Sequence, residues 1–242
     1  VTGEEILPGG FVNKVVRVGD TVRRAVPVRA DFARRLLAYL ERAGWSGAPR
    51  FLGIDEQGRQ VLSHLDGVVP WGSGSRVDVA ADEGLFRVAR LVREFHDLTA
   101  GTSLAAGSET VCHNDLSPRN TVYRAGVPFA FIDWDLAAPG ARIHDVAHVC
   151  WQYLGLGPQI ADARVVARKV RLVCDAYGLT DRSLLIDTII WWQERCRRGI
   201  EAAAASGDRS MIYLRDTGAV RTVRDAAAWV TRHRSTLAEA LR

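Results

Sequence analysis

The sequence predicts an α+β chain of two unequal lobes, a small β-rich N-lobe over residues 1–65 and a larger, mainly helical C-lobe over residues 66–242. Three observations carry this. Short β-branched runs separated by glycine turns fill much of the first 65 residues. A turn-rich stretch from Gly67 to Ser75 then interrupts the pattern. Beyond it, apolar residues recur mostly at helical spacing.

Phe11–Val18 and Thr21–Val26 read as two strands joined through a tight turn at Gly19-Asp20. Asp31 offers an N-cap to a helix with Phe32, Leu36, Leu37 and Leu40 on one stripe, ending near Gly44. Phe51–Asp55 and Gln60–Leu65 are expected as strands around a Glu56-Gln57-Gly58 turn. After the boundary, Leu85, Val88, Ala89, Val92 and Phe95 define a long amphipathic helix. Thr121–Tyr123 and Pro128–Ile132 form a hairpin over Arg124-Ala125-Gly126, and Ile143 to Leu241 reads as successive helices.

Composition narrows the function classes. With 48% hydrophobic and 25% charged residues, the chain is an ordinary globular one. No apolar run approaches the ~20 residues that span a membrane. Val1 to Gly10 carries two glutamates and no basic segment, so no secretory signal is expected there. Four widely spaced cysteines, Cys112, Cys150, Cys174 and Cys196, suggest free thiols in a reducing, cytoplasmic setting. The net charge of +4 is almost all arginine interleaved with acids, as in Arg87, Arg90 and Arg93 beside Glu83, Glu94 and Asp97. Such patterning describes solvated helix faces and not a nucleic-acid footprint.

The chemistry concentrates between His113 and Asp135. His113-Asn-Asp-Leu-Ser-Pro-Arg-Asn120 is followed by Asp133-Trp-Asp135. Asn120 precedes one strand of the hairpin and Asp133 follows its antiparallel partner, so both fall at one open end, with Asp115 in the loop entering it. Oxygen donors gathered in this way suit Mg²⁺, a hard cation that shares its ligands with phosphates. Phosphoryl transfer asks little covalent help of a protein: metal charge on the phosphates, and a residue that aligns the attacking hydroxyl and takes its proton. Asp115 is the expected base, and Asn120 and Asp133 are the expected metal ligands. Asp135 is either an auxiliary ligand or a structural acceptor.

This segment resembles the catalytic and metal loops of the aminoglycoside phosphotransferase and choline kinase superfamily. The resemblance extends over nearly the whole chain and looks strongest to short bacterial phosphotransferases grouped with trifolitoxin immunity proteins. It implies a bilobal protein-kinase-like fold, ATP (or GTP) with Mg²⁺, and transfer of the γ-phosphate to a hydroxyl of a small molecule. Gly9-Gly10 resembles the nucleotide loop, Ser63 to Leu65 the hinge that faces the base, and Phe95-His-Asp-Leu-Thr99 the helix before the catalytic loop. Ser117 stands where relatives often carry Lys or His near the γ-phosphate. His113 and Asp145 are expected to brace the loop.

The sequence also departs from that pattern. Kinase-like enzymes place a Lys on the third strand, paired to a Glu on the first helix. Thr21-Val-Arg-Arg-Ala-Val26 has no lysine; Arg24 is the best stand-in, with Lys14 as a second candidate. Between Phe32 and Leu40 there is no acid, and Glu41 sits at the helix end. From Cys150 to Arg242 there are 15 Lys+Arg against 10 Asp+Glu, the reverse of what a polycationic aminoglycoside would favour. A neutral, aromatic or anionic hydroxyl compound is the expected acceptor. Trp191 and Trp192 are expected to divide between core and partial exposure, with Glu194 a local negative group. The alternative function is a non-catalytic immunity or binding protein that retains the fold. A protein kinase is disfavoured, since no Ala-Pro-Glu follows Asp133.

Overall fold

The computed structural model describes residues 3–7, 15–27, 30–71 and 77–242. The expected nucleotide-loop residues Gly9 and Gly10, and Lys14, lie outside the described residues. Of the first expected strand, Val16–Val18 (β2) is described. It pairs antiparallel with Thr21–Arg24 (β3) across a turn in which Gly19 takes φ +59°, a left-handed conformation that costs glycine little. A short strand Glu5–Ile6 (β1), too brief to leave a pattern, adds to β2.

The sheet is completed by Phe51–Ile54 (β4) and Gln60–Ser63 (β5), in the order β1-β2-β3-β5-β4, all neighbours antiparallel. Their turn is organised by Asp55, whose Oδ1 accepts the backbone N–H of Gln57 and Arg59, an Asx-type arrangement that the short acidic side chain favours. The helix Ala30–Arg42 (α1) starts one residue before the expected cap, so Asp31 lies in its first turn, exposed. There its charge suits the helix dipole. Ala33, Leu36, Leu37 and Leu40 form the buried stripe, with Phe32 packed at its margin.

Gly67 and Val68 carry the chain to the second lobe. Val68 exchanges backbone hydrogen bonds with Tyr123 at 2.8 Å. Gly67 (φ +154°) runs so close to the hairpin that a Cβ there would lie 2.5 Å from Val122 Cγ1. Asp82–Thr99 (α2) then buries Leu85, Val88, Ala89, Val92 and Phe95 as the periodicity requires. The hairpin follows as Thr121–Arg124 (β7) and Val127–Phe131 (β8), and a two-stranded pair, Thr110–Cys112 (β6) with Ala138–Gly140 (β9), brackets it. The β6/β9 pair is joined across 25 residues of intervening chain, a distance at which local pattern carries no signal.

Six helices complete the lobe: Arg142–Leu154 (α3), Ala163–Tyr177 (α4), Leu185–Ala205 (α5), Arg209–Asp216 (α6), Ala219–Arg232 (α7) and Arg234–Ala240 (α8). One apolar core runs from α1 through α2 to α3, α4 and α5. Phe95 sits at its aromatic centre, with ring centroids 5.9 Å from Trp45 and 4.9 Å from Trp134. Trp151, Tyr153 and Trp229 are packing residues of this core. Among the described residues, no helix is long and apolar enough to cross a membrane.

Candidate active site

The loop between β6 and β7 is held from beneath by Asp145, in the first turn of α3. Its carboxylate is fully buried and accepts three hydrogen bonds: the backbone N–H of His113 at 2.7 Å, that of Asn114 at 2.9 Å, and His96 Nε2–H at 3.1 Å. Burial opposes its charge, but the bonds from His96 and from the His113 backbone outweigh it and hold the carboxyl below its ordinary range. Behind it, Arg142 donates to the Tyr177 hydroxyl, which donates to His96 Nδ1, so the imidazole presents its proton to Asp145.

His113 braces the same loop from within. Its Nε2–H donates to the Ile132 carbonyl at 3.1 Å, and its Nδ1 accepts from the Asp115 N–H at 3.3 Å. Burial lowers its pKa, and the ring lies 4.4 Å from Trp134. His148 Nδ1–H adds a bond to the Leu116 carbonyl at 2.8 Å, a support that no local sequence signal announces. Asn114 and Asp133 both take left-handed backbone (φ +65° and +64°), a conformation Asn and Asp tolerate better than most residues.

These supports bring the expected catalytic residues together. Asn120 Nδ2 donates to Asp115 Oδ2 at 2.8 Å and to its carbonyl at 2.9 Å, leaving the amide oxygen of Asn120 uncommitted to Asp115. The Asn120 carbonyl accepts from the Ile132 N–H at 2.9 Å, which sets Asp133, the next residue, at the same hairpin end. Burial, with the negative charge of Asp133 next, pushes the Asp115 carboxyl up to about 7. Ser117 precedes the short turn Pro118–Asn120. Its carbonyl accepts from Asn120 N–H and Thr121 Oγ1–H, whereas its hydroxyl makes no capping bond.

Arg24 reaches this group from the other lobe. Its Nη1 donates to Asp133 Oδ1 at 3.0 Å and its Nη2 to Asp135 Oδ1 at 2.5 Å. It is therefore no edge-strand surface residue; its side chain is 13% exposed. Glu41 is turned elsewhere, to Arg50 at 3.6 Å. Ser63 is committed to the sheet, its N–H to the Arg50 carbonyl and its Oγ to the Arg50 N–H, and Leu65 lies just past the strand end. Neither is brought to the Asp115 cluster.

Two other groupings are structural. His96, Cys112 and Asp145 place ligand-type atoms within 4.8 Å of one another. Yet Asp145 is saturated by its three donors, the Cys112 thiol donates to the Ala141 carbonyl, and burial pushes that thiol far up. This is a hydrogen-bonded knot, ill suited to a cation that needs a thiolate. On α5, Trp192 is buried with its indole N–H on the His144 carbonyl, while Trp191 is 44% exposed and stacked on the His144 ring. Glu194, expected as a local negative group, is paired with Arg197 at 2.9 Å. Cys196, on the same helix, is a free thiol that burial pushes up.

Comparison with known proteins points to phosphotransferases. Residues 100–179 match the Phosphotransferase enzyme family. Over 98% of both chains, the sequence is 29% identical to the trifolitoxin immunity protein of Rhizobium leguminosarum bv. trifolii. In fold it is similar to a Plasmodium vivax ethanolamine kinase (TM-score 0.69, 16% identity, 97% of this chain and 84% of that one). It is also similar to a Streptomyces rimosus aminoglycoside phosphotransferase solved with ADP and streptomycin (TM-score 0.59, 17% identity, 79% and 90%). The chain thus carries a stretch that matches a phosphotransferase family, is similar along its length to an immunity protein, and has a bilobal, protein-kinase-like fold.

Proposed function

We propose that this chain is a cytoplasmic phosphotransferase that moves the γ-phosphate of ATP (or GTP) to a hydroxyl of a small molecule, an antibiotic or a metabolite. The observation that carries the reading is the Asp115–Asn120 hydrogen bond at the hairpin end shared with Asp133. Asp115 orients the acceptor hydroxyl and takes its proton, and a pKa pushed up to about 7 suits a base working near neutrality. Ser117 offers its free hydroxyl to the transferred group. The Asp133 carboxylate and the Asn120 amide oxygen form the hard-oxygen donor set that fits Mg²⁺. When bound, that ion would neutralise charge on the nucleotide phosphates. Arg24, Ser63, Leu65, Gly9 and Gly10 are assigned to the nucleotide side, Arg24 by its charge and the others by backbone.

The acceptor is a neutral, aromatic or anionic hydroxyl compound. The excess of cationic residues beyond Cys150 supports this, as does the pairing of Glu194 with Arg197, which removes a carboxylate from α5. Turnover of ATP with Mg²⁺ across a panel of hydroxylated antibiotics and metabolites tests the reading, with Asp115→Ala as the control. Transfer that survives Asp115→Ala unchanged would refute the base assignment. Efficiency on kanamycin matching that on uncharged acceptors would refute the acceptor class.

Two observations favour a second reading, a non-catalytic immunity or binding protein: α1 supplies no acid to a strand cation, and a similar chain is an immunity protein. Absence of nucleotide binding at millimolar ATP with Mg²⁺ would select it.

A further inference from the structure

The acid that α1 does not supply has a counterpart across the cleft. Two carboxylates meet the Arg24 fork, and they are not equivalent. Asp135 is the nearer, at 2.5 Å against 3.0 Å, and the more enclosed, its side chain 24% exposed against 45% for Asp133. Asp133 therefore keeps an open side toward solvent while Asp135 is shut in against the guanidinium. Arg24 is also met from its own sheet. It lies directly opposite Gln60 on β5, and residues so paired share one face. Gln60 is 1% exposed and its Oε1 has no partner among the described residues; nor has Arg24 Nε. A buried acceptor and a buried donor on adjacent side chains gain by meeting.

We propose that Asp135 and Gln60 are the positioning residues of Arg24, forming a clamp that joins the two lobes in place of the strand-to-helix pair that α1 cannot complete. Asp135 holds Nη2 permanently and Gln60 steadies Nε. Nη1 is left to pass from Asp133 to a nucleotide phosphate when Asp133 turns to a cation. In a clamp built within one lobe, positioning of the cation is independent of lobe closure. Here the acid stands on the far side of the cleft, so orienting Arg24 and closing the lobes are one event. The inference rests on the phosphotransferase reading above.

The test pairs a measurement without nucleotide and one with it. Amide hydrogen exchange in β3 and β5 is followed for wild type, Arg24→Ala, Asp135→Asn and the double variant. Calorimetry gives the dissociation constant of ATP for each, with and without Mg²⁺. Arg24→Ala and Asp135→Asn should lose the same exchange protection, and the double variant no more than either. Each should weaken ATP binding roughly tenfold to a hundredfold, the value of one charge-assisted hydrogen bond, again without adding in the double variant. Asp135→Glu should recover most of the affinity. Asp133→Asn should instead remove the Mg²⁺ dependence and leave metal-free binding intact. Losses that multiply in the double variant, or ATP affinity unchanged in Asp135→Asn, would overturn the clamp while leaving the phosphotransferase reading standing. A wild type that shows the exchange coupling but binds no nucleotide would overturn that reading, and with it the clamp's role.

Discussion

Replacing Asp145 by asparagine keeps the shape of the loop's anchor and removes its charge and one of its two acceptors. In the native protein its Oδ2 receives the His113 N–H and His96 Nε2–H, and its Oδ1 receives the Asn114 N–H, all out of water. An asparagine amide can serve one backbone donor but must turn its own NH₂ toward the other side. If the oxygen stays with His113, the Asn114 N–H faces a donor and loses its partner. His96 Nε2–H shares that same oxygen and keeps its bond, now to a neutral acceptor. One buried N–H stranded and one charge-assisted bond weakened amount to roughly 2–4 kcal/mol. Asn114, held at φ +65°, would relax first and displace Asp115. Urea denaturation followed by circular dichroism reads the stability, and turnover at fixed ATP reads the loop. We expect a drop of this size with activity falling further than nucleotide affinity. A stability within about 0.5 kcal/mol of wild type, the range of neutral surface changes, would refute the account of Asp145 as the anchor.

Three further outcomes follow from the packing. His148 is fully enclosed and its pKa is pushed down from 6.5 to about 4 by burial. The unfolded chain therefore binds a proton there that the folded chain refuses. Stability from this group is intact above pH 6.5 and falls by roughly 3 kcal/mol as pH drops toward 4; a His148→Gln variant should show a flatter denaturation profile across that window. Gly67→Ala would drive a Cβ to 2.7 Å from the Tyr123 carbonyl as well as into Val122, at a φ unfavourable to alanine. A loss of about 1–3 kcal/mol in thermal unfolding is expected. Phe95→Ala would empty the space between Trp45 and Trp134, with a cost of ~3–5 kcal/mol measurable as a fall in the urea midpoint.

Much of this protein is determined by short-range pattern. The stripe of α1, the run from Leu85 to Phe95, and the register that places Asn120 and Asp133 at one hairpin end are all properties of residues within a few turns of one another. The pleat and the helix repeat alone dictate them. The grouping of Asp115, Asn120 and Asp133 was legible for that reason: one loop and one hairpin contain it. His113 and Asp145 were legible as braces through resemblance, though not the buried chain from Arg142 through Tyr177 and His96 behind them. Partners 35 to 81 residues apart leave no periodic trace. The same holds for His148 and Leu116, and for the β6/β9 pair.

The fate of Arg24 belongs to tertiary structure entirely. Alternation along Thr21–Arg24 says which face the residue takes, and the missing acid of α1 says that the usual partner is absent. Neither says where the charge goes. A buried guanidinium must find carboxylates wherever the fold brings them. Here the docking of the small sheet over the hairpin end brings Asp133 and Asp135, 109 and 111 residues away. Local chemistry thus determined the grouping of Asp115, Asn120 and Asp133, while long-range packing decided how the lobe above is tied to them.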